Sequence, residues 1–305
     1  EQSEIVWHDR LTGPINRTMK ELLAPTLENY KLSVTHLNNF IDVTRGGPQN
    51  FLLNNLLRFP QAKSANAIYG TLIHAVLQHA HSHLVASGTR KPIEDITGEF
   101  IRLLQQQELS DNDLALYSKR GIEALEVFLG AKYDTFKPSQ KPELSFAGQG
   151  VVLGQARLTG SLDLVDIDNQ TITVTDYKTG KPSTSWTGKS DYEKIKLHKY
   201  RQQLIFYELL CANSRDYAKY DFGGAVLQFV EPDSRGDIYQ LDDRFSRDEL
   251  ADFQRLIAAV WRCITSLELP DTSHYEANYR GILQFEEDLL AGKYPAYEQP
   301  KTGDK

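Results

Sequence analysis

Two aspartates and a lysine are the residues of this chain best placed by type and spacing to do chemistry. Asp163 lies in Gly160-Ser-Leu-Asp, and Asp176 and Lys178 lie in Val174-Thr-Asp-Tyr-Lys-Thr-Gly. Two carboxylates held close together repel each other unless a cation neutralises them, and a hard divalent cation such as Mg²⁺ meets that demand. A lysine two residues beyond one of them is aimed at the same place. There it can orient or help deprotonate a water and stabilise an anionic transition state.

The stretch from Leu158 to Lys181 must bring these groups together, and it reads as two short strands joined by a polar turn. Leu162, Leu164 and Val165 mark the first strand, and Thr171 to Thr175, rich in β-branched residues, the second. Asp168, Asn169 and Gln170 supply the turn. Side chains alternate along a strand, so Ser161, Asp163 and Val165 share one face, and Ile172, Val174, Asp176 and Lys178 share another. A two-residue loop at Asp168-Asn169 sets Asp176 opposite Ser161. A four-residue loop, Asp168 to Thr171, sets Asp163 directly opposite Asp176. Either register holds the carboxylates on one face, roughly 5–8 Å apart; an odd loop separates them.

Two helices flank the hairpin. From Ser64 to Ser87, Tyr69, Leu72, Ile73, Val76, Leu77, Ala80 and Leu84 fall on one stripe at helical spacing. Gly70 and His74 stand one turn apart at its edge, where a glycine lets another backbone come close and a histidine can complete a metal shell. His79 and His83, also four apart, are a possible zinc pair, but no HExxH and no third ligand accompany them. Tyr192 to Asn213 reads as the second helix, with Gln203 and Tyr207 at i,i+4, both able to hydrogen-bond.

GxxxH, GSLD, DYK and QxxxY, in this order from Gly70 to Tyr207, resemble the core of the PD-(D/E)XK nuclease superfamily in its RecB-like branch, of RecB or AddA kind. The resemblance implies an α/β (α+β) fold: a restriction-endonuclease-like αβββαβ core with a mixed central sheet and added N-terminal and C-terminal helices. It implies a nuclease domain over residues 31–305 with a helical insertion at about 88–137, preceded by an arm over residues 1–30. It implies a metal-dependent DNA nuclease, with Mg²⁺ or Mn²⁺ held by His74, Asp163, Asp176 and the carbonyl of Tyr177. Lys178 then acts on the attacking water, and Gln203 and Tyr207 position DNA or the active-site residues. Glu143 matches an acidic residue that some relatives carry on the first strand. AddB-type relatives hold an iron–sulfur cluster through one early and three late cysteines. TRGGPQNF and YPAYEQPKTGDK have none at the matching places, so no cluster is expected. The implied partners are DNA, as single strands or ends, and a helicase domain in the same longer chain or complex. The other reading is a nuclease fold that has lost its chemistry and binds DNA or regulates a helicase. The intact Asp163, Asp176 and Lys178 set speaks against it.

Composition bounds these readings. The 305 residues carry a formal net charge of −7, which taken alone argues against a nucleic-acid binder. From Lys178 to Arg201, however, seven basic residues face only Asp191 and Glu193, a local charge of +5. Lys194, Lys199 and Arg201 in this stretch are the expected contacts to the DNA backbone, and Trp186 in the preceding loop is a candidate for stacking on a base. The same loop ends in Gly188-Lys189-Ser190 but has Ser183 where a phosphate-binding loop requires glycine, so no ATP site is expected. With only Cys211 and Cys263, a disulfide framework is excluded and a reduced, cytoplasmic setting fits. No apolar run reaches the length of a membrane span. The chain begins at Glu1 rather than Met, which suggests a piece of a longer or a processed protein.

Overall fold

The structure is a computed structural model that describes residues 18–295. Its centre is a five-stranded mixed sheet in the order β1 (Lys141–Ser145), β4 (Ser161–Asp168), β5 (Thr171–Lys178), β6 (Asp221–Phe229), β7 (Gln240–Asp243). β1, β4 and β5 run antiparallel in succession, β6 is parallel to β5, and β7 returns antiparallel at the edge. A separate two-stranded hairpin, β2 (Val152–Leu153) and β3 (Ala156–Arg157), lies between β1 and β4. Its strands are too short to leave a period in the sequence.

Helices cover both faces. On one, α4 (Ala65–Ser87), α5 (Ile93–Gln105) and α6 (Asp111–Lys132) build a core with Leu164, Tyr177 and Val230. On the other, α7 (Asp191–Ala212), α8 (Arg247–Ser266) and α9 (Tyr279–Ala291) pack with Ile172, Val174 and Leu227. The same core takes in the N-terminal helices α1 (Met19–Glu28), α2 (Val34–Ile41) and α3 (Gly47–Phe51). The order α4, β1, β4, β5, α7, β6 is the αβββαβ core, and the parallel β5–β6 pair is closed by α7 as a parallel connection requires.

Local chemistry starts the two helices of interest. Ser64 caps α4, accepting from the Ala67 N–H, and all seven residues of its apolar stripe are buried. Ser190 caps α7 in a reciprocal capping box with Glu193. Residues 1–17 of the expected arm lie outside the described residues, as do residues 296–305. The rest of that stretch is α1, capped by Thr18, and it contributes Leu23 and Tyr30 to the core.

Candidate active site

The turn joining β4 to β5 decides the register. Asp168 pairs with Thr171 and Leu164 with Thr175. The loop is therefore the two residues Asn169-Gln170, and continuing the pairing sets Asp163 opposite Asp176. This is the arrangement expected of the longer loop, reached because Asp168 and Thr171 themselves join the ladder. The paired ladder stops at Leu164 and Thr175, and the Asp163 carboxylate enters the fork that follows, its Oδ2 accepting the Tyr177 N–H at 2.8 Å.

From α4, His74 Nδ1 reaches the same Oδ2 at 3.1 Å. Gly70 lets α4 come this close: a Cβ there would lie 3.0 Å from Thr179 Oγ1, just after β5. On the α7 side, Asp176 is 1 % exposed and ringed by partners. Tyr207 Oη donates to Asp176 Oδ1 at 2.7 Å and Gln203 Nε2 donates to the same oxygen at 2.9 Å. Lys178 Nζ lies 2.6 Å from Asp176 Oδ2, donates to Gln203 Oε1 at 2.7 Å and sits 4.6 Å from the centre of the Tyr200 ring. Glu143 stands opposite Asp163 across β1–β4, in a left-handed backbone conformation with φ +47°. It lines an open cavity of about 450 Å³ together with Gly70, Thr71, His74 and Gln78.

Residues 31–279 match the family model of the PD-(D/E)XK nuclease superfamily. The chain belongs to this superfamily. The family indicates a nuclease, a hydrolase, and its members typically use divalent metal ions. Among curated proteins no match was found.

For a nuclease of this superfamily, the donors are the right kind for a hard divalent ion: two carboxylates, one imidazole nitrogen and the Tyr177 carbonyl. Asp176 Oδ2 is buried without an aligned hydrogen-bond donor. The ammonium 2.6 Å away balances its charge but is not aligned to hydrogen-bond it. Among the described residues, no three His, Cys, Asp or Glu side chains are arranged to hold an ion. His74 instead touches Asp163 directly and Lys178 touches Asp176.

The electrostatics follow from that arrangement. Burial pulls the His74 pKa down, but the hydrogen bond and charge of Asp163, with Asp176 behind it, raise it overall. Burial pushes Asp163 up, and His74 together with the Tyr177 N–H bring it below its ordinary value. Burial raises Asp176, with the Asp163 charge adding to it against the pull of Lys178. Burial would strip Lys178 of its proton, but Asp176 and Tyr200 raise its pKa, so it is held as an ammonium. Glu143 is raised by burial and then by Asp163.

A pH dependence follows for protein kept free of metal by a chelator. The His74 contribution to stability is fully present below about pH 6.5, the unfolded-state value, and is lost as pH rises through the raised folded-state value. The Asp163 contribution is present above about pH 3.9 and is lost as pH falls through its lowered value. The difference in thermal midpoint between the native chain and His74→Gln is therefore expected to shrink from pH 6 to pH 9. A constant difference over that range would show that the imidazole charge plays no part.

The basic segment divides. Lys199 does not face solvent as a free charge: its Nζ lies 2.5 Å from Oδ2 of Asp42, which is 1 % exposed. Arg201 is likewise engaged, with Nε 2.9 Å from Asp243 and Nη2 2.5 Å from Glu249. Both expected DNA contacts are thus occupied by carboxylates distant in sequence. Lys181, Lys189 and Lys194 remain exposed and have no ion-pair partner among the described residues. Trp186 is also committed, its Nε1 donating to the Asp242 carbonyl at 3.0 Å while the ring packs on the core. Lys199→Ala is expected to destabilise the fold by about 1–3 kcal/mol, because Asp42 Oδ2 loses its close partner and keeps only Arg45 at 3.8 Å, while Oδ1 stays bonded to Thr44. Lys194→Ala should leave stability within about 0.5 kcal/mol. Denaturant unfolding of the two variants checks this, and equal losses would refute the division.

Sequence reading missed a clamp on the chain leaving the site. The Gly180 N–H donates to Glu231 Oε1 at 2.5 Å, with Gly180 at φ +93°. Arg120 of α6 binds both oxygens of Glu231 at 2.8 Å and lies 4.6 Å from the Tyr69 ring centre. The parallel register pairs Lys178 with Phe229, so Glu231 must come level with Gly180. That signal becomes readable once the strand order is known. His81, on the same helix as His74, is buried against Phe136 and hydrogen-bonds the Tyr177 hydroxyl at 3.1 Å. His79 pairs with Glu99 at 2.7 Å rather than with His83.

Proposed function

We propose that this chain is a metal-dependent deoxyribonuclease, the exonuclease module of a RecB- or AddA-type helicase-nuclease acting in DNA repair or recombination. The observation that carries the chemistry is the convergence of Asp163–His74 from one side and Asp176–Lys178–Gln203–Tyr207 from the other on one end of the sheet. GxxxH and QxxxY beside the hairpin support the RecB-like assignment.

In this reading Asp163, Asp176, His74 and the Tyr177 carbonyl would hold Mg²⁺ or Mn²⁺, with Glu143 lining the cavity beside His74. Such an ion, when bound, would supply Lewis acidity toward the scissile phosphate and would acidify a water. Tyr207 and Gln203 fix Asp176 through its Oδ1 and leave Oδ2 turned toward the site. Lys178, held as an ammonium, is unsuited to take a proton from water. It orients the attacking oxygen and offsets the charge that grows on the phosphate oxygens. The exposed lysines at 181, 189 and 194 meet the backbone phosphates of the strand.

The test is cleavage of end-labelled single- and double-stranded DNA with Mg²⁺, with Mn²⁺ and with chelator. Cleavage that needs the ion and disappears in Asp176→Asn is expected. Intact DNA under every condition would leave a binding module as the function.

A further inference from the structure

One stripe of side chains runs the length of α7. Tyr192, Lys196, Tyr200, Gln203 and Tyr207 follow one another at spacings of four, four, three and four, which keeps them on one helix face. The inner end is the site itself: Tyr207, 3 % exposed, and Gln203 hold Asp176. In the middle the Tyr200 ring lies under the Lys178 ammonium, and Lys196 Nζ stands 5.9 Å from the centre of the same ring. The outer end is Tyr192, 73 % exposed, the most exposed of the large hydrophobic side chains among the described residues.

An aromatic ring left in water at the end of a stripe that leads to the catalytic carboxylate calls for a ligand with a flat face. Its surroundings say which one. Lys181, Lys189 and Lys194, all exposed and without an ion-pair partner among the described residues, lie on the loop and first turns around it. Rings interleaved with lysines are what a single-stranded polynucleotide requires, since each unpaired base has a face to stack and each nucleotide a charge to neutralise. A duplex hides its base faces in its own stack. Trp186, in the loop before the helix, is tied by its ring N–H to the Asp242 carbonyl, and Tyr279, whose backbone N–H donates to Asp191, is half-buried.

We infer that Tyr192 is a stacking platform for an unpaired base of a single-stranded substrate, a few nucleotides from the scissile phosphate, with Lys181, Lys189 and Lys194 on the flanking phosphates. This rests on the nuclease reading above. The helix rise sets the distance. Eleven residues separate Tyr192 from Gln203, about 16 Å along the axis, which about five stacked nucleotides span at ~3.4 Å each, and fewer when extended.

An abasic scan in Ca²⁺ measures binding without depending on cleavage. Single-stranded oligonucleotides, each lacking one base at a successive position from the end, are titrated against the native chain, Tyr192→Phe and Tyr192→Ala. The native chain is expected to lose affinity roughly 5- to 150-fold at one position and little elsewhere, the fold-change of one base–aromatic stack. Tyr192→Phe keeps that position-specific loss. Tyr192→Ala binds the complete oligonucleotide more weakly and no longer registers the missing base. A flat scan in the native chain, or an unchanged scan in Tyr192→Ala, overturns the assignment of Tyr192 and leaves the nuclease reading standing. Absence of any DNA binding by the native chain overturns the nuclease reading and this inference with it.

Discussion

Asp163→Asn is expected to reduce DNA cleavage to background while the protein stays folded. The carboxylate sits between the His74 imidazole, with Nδ1 at 3.1 Å, and the Tyr177 N–H, which donates at 2.8 Å. The asparagine carbonyl can still accept from Tyr177, so the fork between β4 and β5 keeps its shape. What is lost is the charge: the site gives up one of the two carboxylates proposed to draw a divalent ion in, and Mn²⁺ affinity, read by calorimetry, is expected to fall with activity. Asp163→Ala is a poorer probe. It relieves repulsion with Asp176, but it leaves the Tyr177 N–H without its acceptor, a loss of about 1–3 kcal/mol. Fold damage would then be mixed with chemistry. Cleavage at the native rate by a folded Asp163→Asn chain would remove Asp163 from the site altogether.

The parts of the site visible in the sequence are those set by short-range periodicity. The period of two along β4 and β5 put Asp176 and Lys178 on the α7 face, and the polar turn limited the register to a few choices. Helical spacing located Gly70 and His74, Gln203 and Tyr207. Hidden were the partnerships between elements far apart in the chain. Nothing near Lys199 announces that Asp42 waits 157 residues away, and nothing near Arg201 points to Asp243 and Glu249. A local count of charges therefore overstated the free basic surface. The ring N–H of Trp186 is likewise engaged from a distance, by a backbone carbonyl of β7. Tyr192 was passed over because exposure is a property of the folded chain, although its spacing from Gln203 was already in the sequence.

Lys178→Ala is expected to lower single-turnover cleavage at saturating enzyme by about a hundredfold or more, with DNA binding in Ca²⁺ changed only a few-fold. The strand aims Lys178 at the site and the structure holds it there: Asp176 Oδ2, Gln203 Oε1 and the Tyr200 ring surround its ammonium. A group so enclosed is a poor anchor for a mobile phosphate backbone but well placed for charge that develops at one point, an effect concentrated in the transition state. Removing it has a second consequence. Asp176 is raised by burial and by Asp163, and Lys178 is the chief influence holding it down. Without the ammonium its pKa climbs further, so the acid limb of the pH–rate profile is expected to move to higher pH in Lys178→Ala. An anchoring role predicts the opposite pattern: weaker binding by roughly one charge contact, near-normal cleavage at saturation and an unmoved acid limb. Both measurements can be made on one preparation, and weakened binding with near-normal turnover would defeat the catalytic assignment.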